Sequence, residues 1–153
     1  MDTERFRNAI AAIDAANAED PNTIRVRGLE RQKELAHAEL VSEWVRRLRP
    51  QASEALLLAA RAHHIRRWTV PRSSYPEGRG GYLRWRRDLH EMHARETANI
   101  LRAHGYDQET IDRVARIVRK ENLAGDLDVQ ALEDALCLVF LETQLHDLAR
   151  QLD

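Results

Sequence analysis

Four side chains able to ligate a metal or move a proton lie on apolar helical stripes, where such groups are costly unless something satisfies them. His37 is spaced four, three and four with Val41, Trp44 and Leu48, which sets it on the side of a helix that turns inward. His63 follows Leu56 by seven residues and His64 follows Leu57 by seven, so this adjacent pair emerges from the apolar side of the next helix. Asp134, within ALEDALCLVFLE, precedes Leu138 by four and Leu141 by seven and reads as inward too. A buried carboxylate needs a hydrogen-bonding or cationic partner, and imidazoles with a carboxylate form a ligand set for divalent first-row metals. Taken singly, each histidine is more often a hydrogen-bonded core or surface residue than a ligand. Their recurrence on separate apolar helices instead points to one polar site built from His37, His63, His64 and Asp134.

Shortly after the histidine pair comes TVPRSSYPEGRGGY, with two Pro, three Gly and two Tyr, the composition of an ordered functional loop or lid. Arg66, Arg67, Arg72, Arg79, Arg84 and Arg86 lie on or beside it, and planar guanidinium groups suit phosphate oxygens. The formal net charge of −1 divides unevenly: residues 41–90 carry +7 and residues 121–153 carry −7, and all but two of the 24 basic residues are Arg. An anionic ligand fits this pattern; the alternative is that the two faces pair with each other or with solvent. Tyr75, Tyr82 and Trp85 could stack on a base, or pack as ordinary helix aromatics.

Helices must position these groups. Four Pro and six Gly are present, and half of these ten lie between Pro71 and Gly81, so little else interrupts helical runs. Apolar periodicity predicts helices over about residues 3–16, 30–48, 52–67, 82–104, 108–121 and 129–152. Pro50 and Gly105 act as stops, Asp107 as an N-cap, and Asp126 or Asp128 as the last cap. Residues 21–28 read as a plain connection, too short for a sheet despite Ile24 and Val26. The expectation is an all-α, single-domain helical bundle over residues 1–153.

At 153 residues, with 43% apolar and 32% charged side chains, the chain suits a folded globule that needs no disulfide. No apolar run reaches the ~20 residues of a membrane span. The start, MDTERFRNAIAAIDAANAED, lacks the features of a secretory signal, so a cytoplasmic location is expected. The lone Cys137, within ALCLVFL, reads as a small buried hydrophobe.

The order of the candidate ligands resembles the HD-domain superfamily of metal-dependent phosphohydrolases, all-helical proteins whose ligands run His, His-Asp, Asp. HAELVSEWVRRL is similar to the helix bearing the first His, and LLLAARAHHIRRW to the helix bearing the doublet, with His64 where Asp is expected. HARETANILRAHGY resembles the segment that supplies an extra His, mapping it to His93, and LEDALCLVFLE resembles the final helix with Asp134. The similarity covers about residues 30–145, leaving residues 1–29 as an N-terminal helix and connection. It is closer still, over nearly the whole length, to an uncharacterised bacterial and fungal domain-of-unknown-function family, through AARAHHIRRW, PRSSYPEGRGGYLRWR and LEDALCLVFLE.

The superfamily resemblance implies hydrolysis of a phosphoester by a metal-activated water; the Arg-rich loop and its aromatics add the expectation that the substrate is a nucleotide or other small phosphoester contacted by Arg66, Arg67, Arg72, Arg79, Tyr82 and Arg86. Replacing Asp by His64 favours one divalent transition metal, Zn, Fe, Mn, Co or Ni, over Mg. Arg119-Lys120 stands where two-metal members carry a His pair, which favours a single-metal centre. Lys120 becomes a substrate contact and Glu121 the acid/base candidate, ahead of Glu133 and Glu142. The alternative is a non-catalytic nucleotide- or nucleic-acid-binding module with a degenerate site, and an oligomer is compatible with either.

Overall fold

The computed structural model describes residues 2–152, with side chains described over residues 2–145. The chain is all-α apart from one hairpin: α1 (Glu4–Asn17), β1 (Thr23–Val26), β2 (Leu29–Gln32), α2 (Lys33–Leu48), α3 (Glu54–Ala62), α4 (Arg79–Ala103), α5 (Gln108–Val118) and α6 (Leu127–Leu152). Side chains supply the caps that start several helices. Thr3 accepts from the Phe6 amide at 3.1 Å, Ser53 from Leu56 at 3.1 Å and Asp107 from Thr110 at 2.9 Å, each satisfying an amide that the first turn leaves unpaired. Asp126 Oδ1 accepts from the Asp128 and Val129 amides, and Arg113 grips the same carboxylate from α5. α4 ends with Gly105 in the left-handed region (φ 81°) while the Tyr106 amide returns to the Leu101 carbonyl at 3.1 Å, the Schellman arrangement.

The expected plain connection over residues 21–28 is corrected by the hairpin. β1 and β2 pair antiparallel from Thr23↔Gln32 to Val26↔Leu29, leaving a two-residue turn of Arg27 (φ 50°) and Gly28 (φ 83°). Positive φ at both positions is the twist-compatible hairpin turn. Arg-Gly supplies it here in place of the usual Asn-Gly, and the short strands have no buried residue, β1 alternating exposed with half-buried and β2 exposed save for Arg31, so the sequence signal is faint. The hairpin takes Glu30–Gln32 from the predicted second helix and packs against α2.

The core is one cluster that includes Phe6 and Ile13 of α1, Val41 and Val45 of α2, Leu56 and Leu58 of α3, Leu101 of α4, Val114 and Ile117 of α5, and Leu132 and Val139 of α6. α1 therefore belongs to the same core as the rest. The packing order decides where the site forms: α4 packs on α5, α5 on α3, α3 on α2 and α2 on α6. Among the described residues α4 and α6 have little or no direct packing with each other, and a gap remains between them. Within the described residues no helix is long and apolar enough to cross a membrane.

The 71–78 loop is built on its own contacts. Arg72 donates to the carbonyls of Tyr75, Pro76 and Gly78, Tyr75 Oη donates to Asp88 at 2.6 Å, and Trp85 Nε1 donates to the Val70 carbonyl at 2.8 Å. Gly81 closes it: a Cβ there would stand 1.8 Å from the Pro76 carbonyl oxygen. Gly81→Ala must therefore displace the loop, and it is expected to lower the melting temperature by several degrees, as about 1–3 kcal/mol of overpacking would. An unchanged melting curve would show that the loop is not held against α4.

Candidate functional site

α3 ends at Ala62, five residues short of its predicted end, because the histidine pair takes over its last turn. His63 Nδ1 lies 2.8 Å from the Ala60 carbonyl, one of the terminal carbonyls that lack a helical amide. That bond puts the proton on Nδ1 and leaves Nε2 with a free lone pair. His93 of α4 repeats the device, with Nδ1 2.7 Å from the Ile65 carbonyl. His64 Nδ1 lies 3.3 Å from Glu34 Oε1. Two residues near the cluster carry positive φ although neither is glycine, Arg66 (56°) and Lys120 (60°); this is strained backbone of the kind that gathers at functional sites.

The rings converge. His37 stacks on His64 with centroids 5.1 Å apart and planes within 3°; His63 and His64 lie 4.1 Å apart, His37 and His63 5.2 Å, and His64 and His93 5.9 Å. One donor nitrogen from each of His37, His63 and His64 lies within 4.8 Å of the others, against about 3.4 Å for tetrahedral ligands on one zinc-sized ion. His37 Nδ1 and His63 Nε2 are buried and have no hydrogen-bond partner on the protein, which leaves both nitrogens free to take a ligand.

All five histidines around the site are held neutral, primarily by burial. The pKa of His37 is lowered, those of His63 and His64 fall well below the ordinary value, and those of His90 and His93 drop to about 4. Arg67 and Lys120 add to the effect: Arg67 acts on His37, His64 and His93, and Lys120 on His63, His64 and His90. Neutral imidazole is the ligating form.

The rings form the floor of a cleft of about 650 Å³ between α4 and α6. Arg67, Tyr82, Trp85, Arg86, Leu89, His90 and His93 line it with Lys120 and Glu133; Ile24, Leu136, Cys137, Phe140, Leu141 and Gln144 complete it. Lys33, Arg67, Arg86 and Lys120 against Glu34 and Glu133 leave the lining at +2 with neutral histidines. Lys120 Nζ and Glu133 Oε1 are 2.7 Å apart, and Arg86 donates to Tyr82 Oη at 3.0 Å.

Among the sequence candidates, His37, His63, His64, His93, Arg67, Tyr82, Arg86 and Lys120 meet in this cleft. Others do not, and each has a physical reason. Asp134 is exposed. α6 is apolar around much of its circumference, so two stripes compete; the core takes Leu132, Ala135 and Val139, and the stripe of Asp134, Leu138 and Leu141 faces away from it, with Leu141 50% exposed. Arg66 is paired with Glu19 and Glu96, Arg72 is consumed by the loop carbonyls, and Arg79 is exposed in the first turn of α4. Glu121 lines an adjoining shallow depression with Leu83 and Arg119, which shares Tyr82, Arg86 and His90 with the cleft. Cys137 is exposed on the cleft wall rather than buried in the core.

The carboxylate missing from the sequence set is Glu34, which is 5% exposed and touches His64. Its signal was available: it lies three residues before His37 and seven before Val41, on the same helical stripe. Asp20 holds it in place by accepting the Glu34 amide at 2.8 Å on one oxygen and the Asn22 amide at 2.9 Å on the other.

These depressed pKa values have a sign. The unfolded chain protonates its histidines near pH 6.5, while the folded cluster resists protonation down to about 4 at His90 and His93. The unfolded state therefore binds more protons in that window, and stability that is complete above pH 6.5 is lost as pH falls towards 4. Melting temperatures measured with a chelator present are expected to fall steadily from pH 7 to pH 5. A flat profile over that range would mean that the rings are solvated.

No curated protein and no solved structure matches the chain. A family model described as "Domain of unknown function (DUF4202)" matches residues 7–153, which takes in α2, α3, α4, α6 and every ring of the histidine cluster. The chain belongs to that family.

Proposed function

We propose that the cleft is a divalent-metal centre that hydrolyses a phosphoester, a nucleotide or another small one, in the cytoplasm. The observation that carries this reading is the set of His37, His63 and His64 nitrogens within 4.8 Å of one another, two of their ring atoms buried without partners. Neutral nitrogen donors suit Zn, Fe, Co or Ni better than Mn, Mg or Ca, so the residues fit a transition metal. His37, His63 and His64 would hold it, with His93 beside them as a further nitrogen donor. Bound there, such an ion supplies Lewis-acid polarisation of a phosphoryl oxygen and activation of water near neutral pH.

The remaining work falls to the chain's own side chains. Arg67, Arg86 and Lys120 bind the phosphoryl oxygens, guanidinium pairs supplying orientation as well as charge. Glu34 fixes the orientation of the His64 ring through the 3.3 Å contact at Nδ1, as partners of metal-binding histidines do. Glu133, paired with Lys120 at 2.7 Å, replaces Glu121 as the candidate for holding a proton at the cationic wall. The resemblance to HD-domain phosphohydrolases supports the reading through His37 and the His63-His64 pair. The carboxylate beside the rings is Glu34 and not Asp134, the last ligand by that resemblance.

Metal analysis of the purified chain is expected to find about one transition-metal ion per molecule. His37→Ala and His63→Ala should abolish uptake, Glu34→Gln should weaken it roughly 10- to 100-fold as loss of an orienting partner does, and Asp134→Ala should leave it intact. Hydrolysis of a generic phosphate monoester should follow metal content. If the folded wild type takes up none of these ions, the cleft is a non-catalytic anion-binding site and the hydrolase reading falls.

A further inference from the structure

Apart from Glu133, the α6 wall has no part in the chemistry proposed above, yet it makes up much of the cleft. Leu136, Cys137, Phe140, Leu141 and Gln144 recur at spacings of one, three, one and three, which turns one face of α6 along the opening. Ile24 of the hairpin joins them. Phe140 is 61% and Leu141 50% exposed, a large apolar surface left in contact with water inside a concavity. Gln144 is the one uncharged hydrogen-bonding side chain that α6 contributes among the described residues of the lining.

This wall is poorly matched to a nucleoside. A base and ribose need donors and acceptors along their edges, and the α6 side offers hydrocarbon. The α4 aromatics offer little stacking, since the Arg67 guanidinium lies over the Trp85 ring, 5.3 Å from its centroid, that of Arg86 lies over Tyr82 at 5.8 Å, and Trp85 Nε1 is bound to the Val70 carbonyl. At about 650 Å³ the cleft holds on the order of twenty water volumes of ~30 Å³ each, far more than a phosphate group fills. Its polar part carries net positive charge, and its apolar part is continuous with it. A single occupant that satisfies both is an amphiphile with an anionic head.

We propose that the substrate is a phosphate monoester of an apolar, chain-like alcohol, its phosphate at the imidazoles, Arg67, Arg86 and Lys120, and its hydrocarbon along Ile24, Leu136, Phe140 and Leu141. This substrate class rests on the phosphoester reading of the same cleft. A fully buried methylene contributes about 0.8 kcal/mol, or roughly fourfold in affinity, so chain length is the variable that exposes the wall.

The test is a calorimetric titration of the full chain, at recorded metal content, with n-alkylphosphonates from methyl to octyl and with adenosine monophosphate. Affinity is expected to rise roughly two- to fourfold per methylene over the first several carbons, with octylphosphonate binding more tightly than the nucleotide. Phe140→Ser and Leu141→Ser, both at exposed positions, should flatten that slope while the melting curve stays close to wild type. A flat series in which methylphosphonate still binds would overturn the apolar-substrate inference and leave the phosphoester reading standing. If no phosphonate and no nucleotide binds, both fall. Tighter binding of the nucleotide than of octylphosphonate would overturn the inference in favour of a base-reading cleft. Sedimentation showing a wild-type dimer that Phe140→Ser converts to monomer, with no chain-length slope, would overturn it by assigning the α6 wall to a second copy of the chain.

Discussion

Burying a ring nitrogen with no hydrogen-bond partner costs on the order of 1–3 kcal/mol, and this chain does so at His37 Nδ1 and His63 Nε2. Such groups persist only where the surroundings over-determine their position. Here the other nitrogen of His63 is fixed by the Ala60 carbonyl, His93 by the Ile65 carbonyl, and His64 by Glu34. Two of these anchors are main-chain oxygens at the end of α3 or in the turn beyond it. The end of that helix is thus both a structural stop and the floor of the site, and the short α3, the strained Arg66 backbone and the turn that carries Arg67 into the cleft belong to one local solution.

Around that floor, the packing order of the helices decides what the rings face. Because α4 packs mainly on α5 and α6 mainly on α2, with little or no direct packing between them among the described residues, the two longest helices stand apart and leave their facing sides open. One brings Arg86 and aromatic rings, the other an apolar stripe. A molecule whose only purpose was stability would close this gap with side chains. Keeping it open leaves Phe140 and Leu141 largely in water, and exposed apolar surface inside a concavity is more informative than the same residues scattered on a convex face.

Electrostatics reinforces the arrangement from both directions. Arg67 and Lys120 sit close enough to the rings to disfavour imidazolium, which keeps the lone pairs available, and the same two cations make the cleft attractive to an anion. Glu34 and Glu133 balance them only in part. Glu34 in turn depends on Asp20, whose carboxylate is spent on the main-chain amides of Asn22, just before β1, and Glu34, where β2 gives way to α2. The hairpin that the sequence conceals is therefore what seats the buried carboxylate beside His64.

The helical class, most element positions, the N-cap at Asp107, the stop at Gly105 and the suspicion attached to His37, His63 and His64 were all legible in the sequence, because they rest on local periodicity and capping chemistry. What local pattern could not decide was choice between equivalents. α6 carries more than one apolar stripe, and only the neighbours available to it determined that Val139 would be buried, Asp134 exposed and Phe140 turned along a cleft. Likewise a guanidinium looks the same in sequence whether it meets a ligand or a carbonyl, so Arg72 and Arg67 separated only when tertiary contacts closed the loop on one and left the other lining the site. Periodicity specifies that a residue faces inward; which residues meet across helices distant in sequence is set by packing, and the convergence of three imidazoles is a property of that packing alone.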